Sequence, residues 1–341
     1  MFQGLGRWSA LGALLGQVAP VLLSQASSGP TPLVGPLVPL QPSLQYYPPG
    51  LSSWDPEVGA QSPCKARHCW TGNYIATFLI ANVKPEDAQS ILPNGMLTDP
   101  KAVHNGSYPV VLGFGTFENA RSYRYSFLGL NYSEFLAAIP RVSVPGGQYK
   151  YKGPYLYPYR LYLNRLMPTI FGRLSGYPKF WERVTLTGAG DPPFDYAFKV
   201  ATLLTGQPLL KLTFTASATV NKISHFPRFN DIRRLLIPNI IANGFFGIPV
   251  RTFFELDVAN AMAWDLPAAT LEVPDKNLFP VLPGKYTWKG IEQEPYGAVR
   301  VYLPWRLTSD DDPNIEIPWT VQTVGPGEAP PSSSPDLRAA S

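Results

Sequence analysis

The chain is short of the residues that most often build reactive centres. Its 341 residues include 2 Cys, 3 His and 4 Met. Cys64 and Cys69 are five positions apart with His68 between them, and no second Cys/His pair follows at ligand spacing, which argues against a zinc site. In an exported chain the same two thiols would close a small disulfide loop. His104 and His225 have no partner at catalytic or metal-ligating spacing and read as structural. Charge is also scarce: 15% of residues are charged, and 28 basic against 24 acidic residues leave a net +4. No basic run is interleaved with aromatic residues, so nucleic acid is not expected as a partner. There is no Gly-rich phosphate loop and no Gly-x-Ser-x-Gly elbow, which removes nucleotide-binding and serine-hydrolase readings. Neither a cofactor nor a metal is expected. No internal repeat is present.

Apolar and aromatic residues are abundant. Hydrophobic residues make up 45% of the chain, with 38 Pro, 18 Tyr, 18 Phe and 8 Trp. Low charge with many Pro and Tyr describes a loop-rich β protein with large apolar surfaces, a composition open to oligomer formation. Residues 1–28 carry Arg7, a mostly apolar run from Trp8 to Leu23 and a small-x-small end at Ser24-Gln25-Ala26. That layout fits a secretory signal, or else an apolar arm that packs on the body. The first reading makes the protein secreted or membrane-anchored, with membrane contact only through residues 1–28 if uncleaved; the second leaves it cytoplasmic. Residues 29–69 form a Pro/Gly/Ser-rich extended segment, 70–307 the folded domain, and 308–341 an acidic, Pro/Ser-rich tail. Sequons stand at Asn105 and Asn131.

Within 70–307 the pattern is that of strands. Tyr74–Ile80, Tyr108–Phe117, Arg141–Val144, Tyr155–Leu163, Arg251–Val258 and Ala268–Val273 are short apolar runs rich in β-branched and aromatic residues. Leu210, Leu212, Phe214 and Ala216 alternate with polar residues, so one face of that strand is buried. A short helix is expected after Lys84, where Pro85 and two acids follow.

One lysine stands out. In Phe171-Gly172-Arg173-Leu174-Ser175-Gly176-Tyr177-Pro178-Lys179-Phe180-Trp181, Lys179 follows a rigid Gly/Pro bend among aromatic neighbours. Such surroundings strip water from an amine and favour its neutral, nucleophilic form, which attacks a carbonyl to give a Schiff base. The plain alternative is a surface lysine beside a turn.

Leu174 to Lys179, preceded by Gly172-Arg173, resembles the Schiff-base loop of the acetoacetate decarboxylase family. Asn131-Tyr132-Ser133-Glu134, followed by Ala138-Ile139-Pro140, resembles the loop that carries that family's active-site glutamate. Arg233–Asn239 and Asn277–Pro283 resemble its later strand regions. The resemblance covers about residues 70–290, and is thin outside 131–180. It implies a mainly β, antiparallel β-barrel-like fold with few short helices, assembled as a homo-oligomer. It implies Lys179 and Glu134 as catalytic residues, with Glu118, Arg173, Tyr132, Tyr177 and Phe180 around the substrate.

The chain also departs from the family pattern. Phe180 stands where the family has a second lysine, the acid after Gly-Arg is missing, and no arginine lies near Gly72, Arg67 being the nearest basic residue. These changes argue against acetoacetate itself. The aromatic surroundings of Tyr123, Tyr125, Phe127 and Tyr177 suit a β-keto acid larger or more apolar than acetoacetate. The activity implied is that of a Schiff-base-forming lyase, a decarboxylase. The other reading is a non-catalytic binder of an apolar small molecule on the same fold, with Lys179 and Glu134 as a buried ion pair.

Overall fold

The computed structural model describes residues 70–122, 129–144, 154–189, 194–236, 239–243, 249–257 and 261–309. Residues 1–69, with the Cys64–Cys69 pair and Arg67, lie outside the described residues, as do Tyr123, Tyr125, Phe127 and the tail beyond 309.

The apolar stretch around Tyr74 grows into a long strand, β1 (Trp70–Val83). Pro85 then opens α1 (Pro85–Ser90), where Glu86 and Asp87 sit at the positive end of the helix. After β2 (Leu97–Thr98) come β3 (Tyr108–Ser122) and β4 (Leu130–Ser143). Asn131–Glu134 is therefore strand, not the loop expected from the resemblance: its alternating residues pair with β3 on one side. β5 (Tyr155–Leu163) matches the apolar run read from the sequence. Helix α2 (Leu166–Leu174) was not anticipated; Pro168 fits its first turn, where a missing N–H costs nothing. Then follow β6 (Lys179–Trp181), β7 (Arg183–Ala189), β8 (Phe194–Ala201), β9 (Pro208–Ala216) and β10 (Val220–Lys222). Arg233–Leu235, expected in a strand, belongs instead to α3 (Phe229–Leu235), whose buried Phe229, Ile232 and Leu235 recur with a helical period. The described residues end with β11 (Asn239–Asn243), β12 (Pro249–Leu256), β13 (Met262–Asp265), β14 (Ala268–Val273), β15 (Gly284–Trp288) and β16 (Ala298–Ser309). Between β14 and β15, Lys276–Leu278 is a 3-10 turn capped by the Asp275 side chain, so the Asn277–Pro283 segment is not a strand.

The strands form an 11-stranded and a 5-stranded sheet. The larger runs β1-β3-β4-β5-β11-β12-β16, and β16 pairs back to β1, so it curls round on itself in a barrel-like way. Its slimmest seam is the parallel contact of β5 with β11, carried by Ile240 opposite Leu156. The smaller sheet, β15-β14-β9-β8-β7, covers the outer face of the larger one. Phe114 of β3 meets Phe198 of β8 edge-on at 5.3 Å between ring centres, and Trp288 donates its indole N–H to the Ile80 carbonyl at 3.1 Å. Strand alternation thus gives each residue of the larger sheet one of two addresses: between the sheets, or inside the curl. Inside lie Tyr74, Phe78, Phe117, Leu136 and Leu156, and this inner face carries the site.

Candidate active site

Lys179 is delivered by a helix ending. Ser175 caps α2, Gly176 takes φ +87°, and the N–H groups of Gly176 and Tyr177 donate to the carbonyls of Arg173 and Gly172, both at 2.9 Å. This double closure after a left-handed glycine is a Schellman ending, and Pro178 prevents the helix from continuing. Lys179 then enters β6 opposite Leu161 of β5. The Arg173 guanidinium donates to the Lys179 carbonyl at 2.6 Å, tying strand to helix.

Glu134 reaches the same place from the other edge of β5. It stands opposite Leu163, two residues along from Leu161, so the two side chains meet across the inner face of one strand. Lys179 Nζ lies 3.4 Å from Glu134 Oε2. The side chains are 15% and 6% exposed. Among the described residues that carboxylate oxygen has no hydrogen-bond partner. Burial pushes the Glu134 carboxyl above its ordinary value, and the nearby charge of Lys179 pulls it partly back.

The pair faces a cavity of about 110 Å³. Its walls are apolar: Phe78, Phe117, Leu136, Leu156, Leu161, Leu236, Ile240, Phe254, Leu256 and Leu307 contribute, with Pro158. Besides Lys179 and Glu134, its polar groups are the phenols of Tyr74, Tyr132 and Tyr177. Burial, reinforced by the Glu134 charge, raises Tyr74 and Tyr132 well above the ordinary phenol value. Tyr177 is pushed up to about 12 by burial, against a hydrogen bond with Thr252 of β12 that favours ionisation. These phenols stay protonated at neutral pH. Lys179 Nζ lies 5.9 Å from the ring centres of both Tyr132 and Tyr177, within reach of weak cation–π attraction. Among the described residues there is no cluster of three or more His, Cys, Asp or Glu able to hold a metal.

Four of the residues singled out by sequence therefore converge: Lys179, Glu134, Tyr132 and Tyr177. The other three do not line the cavity. Glu118 follows inward-facing Phe117, so it takes the other address: it is buried towards the smaller sheet, where its charge acts on Arg300. Arg173 is exposed on α2. Phe180 alternates outward from Lys179, and its ring lies 5.1 Å from the Arg160 guanidinium and 5.2 Å from that of Arg173. The sequence reading missed Tyr74, Phe254 and Leu256. Alternation within Tyr74–Ile80 and Arg251–Val258 was the available signal, but only the register of distant strands says which face turns inward.

No protein-family model matches the chain, and no curated protein matches it. Solved structures do. The enduracididine biosynthesis enzyme MppR, complexed with pyruvate, superposes with a TM-score of 0.50 at 15% identity, over 82% of this chain and 96% of that one. The same enzyme complexed with the condensation product of pyruvate and imidazole 4-carboxaldehyde gives 0.50 and 15%, over 83% and 96%. An acetoacetate decarboxylase-like enzyme from Sphingomonas wittichii RW1 gives 0.47 and 17%, over 71% of this chain and 92% of that one. Identity this low speaks to architecture alone: the chain has a mainly β fold, and it shares that fold with MppR.

Proposed function

We propose that the protein is a Schiff-base-forming carbon–carbon lyase that decarboxylates a β-keto acid more apolar than acetoacetate. The observation that carries this reading is the Lys179–Glu134 pair, 3.4 Å apart and buried on the wall of an apolar cavity. A proton passed from the ammonium to the carboxylate yields a free amine and a neutral acid without changing the total charge, and burial, which raises the Glu134 carboxyl, lowers the cost of that transfer. The amine of Lys179 adds to the ketone and water leaves, giving an iminium. The bond to the carboxylate carbon breaks, its electron pair flows into the iminium, and carbon dioxide departs. Glu134 gives its proton to the departing water when the iminium forms, so a proton from solvent, relayed by Glu134, reaches the enamine carbon, and water then releases the ketone and leaves Lys179 as its ammonium.

The cavity wall favours the cleavage step. The intermediate holds a cationic iminium and an anionic carboxylate, whereas the products are a neutral enamine and neutral carbon dioxide. An apolar wall disfavours the separated charges and not the products. The volume also limits the substrate. A cavity of about 150 Å³ takes a benzene ring, so about 110 Å³ admits a smaller apolar group beside the reacting carbons. MppR, which shares the fold, has been solved with a keto acid, pyruvate.

Borohydride trapping tests this reading. Incubation with short branched β-keto acids or their ketone products, followed by reduction, is expected to add the ligand mass minus one oxygen to the peptide containing Lys179, and Lys179→Met should abolish the adduct. Tight binding of an apolar ligand with no adduct from any keto compound would replace the lyase with a non-catalytic binder.

A further inference from the structure

We propose that Gly172 is a positioning residue for Lys179: the side chain missing from α2 at this point leaves the space through which the lysine stem reaches Glu134. A Cβ placed on Gly172 would collide with Lys179 Cδ and would lie 2.6 Å from its Cε and 3.1 Å from its Cγ. No non-bonded carbons approach that closely, and the obstruction is the middle of a stem anchored at both ends. One end is β6, where the Lys179 carbonyl accepts from Arg173. The other is Nζ, held beside Glu134. The helix around Gly172 agrees with this role. Its buried positions are the small Pro168, Thr169 and Gly172, while the larger Leu166, Met167 and Phe171 face outward. A helix whose only task was to cover the sheet would place its large apolar residues inward. Glycine is also a poor residue inside a helix, and no positive φ calls for it at 172. Its value at this position is the clearance.

A side chain at 172 would push the stem out of its track and take Nζ away from Glu134. The consequence for turnover rests on the lyase reading, whereas the position of the amine does not. Two substrate-free measurements therefore test the inference separately from the activity. The first is the rate at which Lys179 reacts with acetic anhydride, read by peptide mass spectrometry. In Gly172→Ala that rate should rise on the order of tenfold or more, because a contact between charged groups is worth at least about that factor. Unchanged reactivity would overturn the proposal. The second is a melting-temperature comparison in two backgrounds. Gly172→Ala should lower the melting temperature when Lys179 is present. It should raise it in a Lys179→Ala background, where the space is empty and alanine is the better helix former. An effect of the same sign in both backgrounds would refute the idea. If Gly172→Ala alone does not fold, the double variant still decides: folding at or above the stability of Lys179→Ala supports the proposal, and failure to fold overturns it.

Discussion

Lys179→Met should destabilise the protein in a pH-dependent way, and the pH dependence is the informative part. The substitution keeps much of the stem's volume but removes the cation 3.4 Å from Glu134. That carboxylate is 6% exposed, and its Oε2 has no hydrogen-bond partner among the described residues. Removing one member of a buried pair costs about 3–5 kcal/mol, because the remaining charge is left uncompensated. The carboxyl can escape much of that cost by holding its proton. Burial already raises it above its ordinary 4.5 with Lys179 in place, and losing the lysine's charge raises it further. A carboxyl with a raised folded value binds more protons folded than unfolded. Stability therefore falls as pH climbs from the unfolded value through the folded one, by at most about 1.4 kcal/mol per pH unit, and is constant outside that window. A loss of about 3–5 kcal/mol is thus spread over roughly two to four pH units. Urea melts of wild type, Lys179→Met and Lys179→Met/Glu134→Gln from pH 4.5 to 8.5 measure it. The single variant should approach wild type at the acid end and drop away as pH rises, and the glutamine should remove that slope. A single-variant curve parallel to wild type would mean that Glu134 does not carry a buried, lysine-compensated charge.

Two further substitutions probe the support of the site. Phe180→Lys, which introduces the residue found there in the family that the sequence resembles, should destabilise the protein by about 1–2 kcal/mol. It removes the ring that two guanidiniums approach at 5.1 and 5.2 Å and sets a like charge between them; a neutral or stabilising effect in urea melts would show that these contacts carry little weight. Thr252→Val keeps the shape of the buried threonine but removes the hydroxyl bonded to the Tyr177 phenol. Stranding that buried group should cost about 1–3 kcal/mol of stability, and an unchanged urea midpoint would mean that the phenol finds another partner.

What could be read in advance follows the range of the forces involved. The lysine segment was legible as a Gly/Pro bend because a turn is written in consecutive residues, and the structure shows that bend to be a Schellman helix ending. The helix that this ending closes was not. Leu166–Leu174 includes Pro, Thr, Ile and Gly, and its N-cap, Arg165, makes no side-chain capping bond. Those local signals are weak, so packing against β5 and β6 decides the helix. The same holds for α3, where Arg228 caps without a side-chain bond and the helical run was mistaken for strand. Glu118 was misplaced for a reason of parity. It was singled out by resemblance to an acidic position of the family, but in a strand the question is odd or even, and the neighbouring Phe117 takes the inward position.

Register also explains why the Lys179–Glu134 pair is demanding. Lys179 and Glu134 lie in different strands, each hydrogen-bonded to an opposite edge of β5, at Leu161 and Leu163. Slipping β6 by one residue would turn Phe180 into the cavity and Lys179 out towards Arg160 and Arg173. β6 spans only Lys179–Trp181, too few residues to secure its own register. What secures it is the helix before it: the Schellman ending sets the distance from α2, Arg173 holds the Lys179 carbonyl, and the Tyr177–Thr252 bond ties the turn to β12. The stability invested in α2 and its turn thus acts on the amine's position, and changes in that helix should affect the site before they affect the fold.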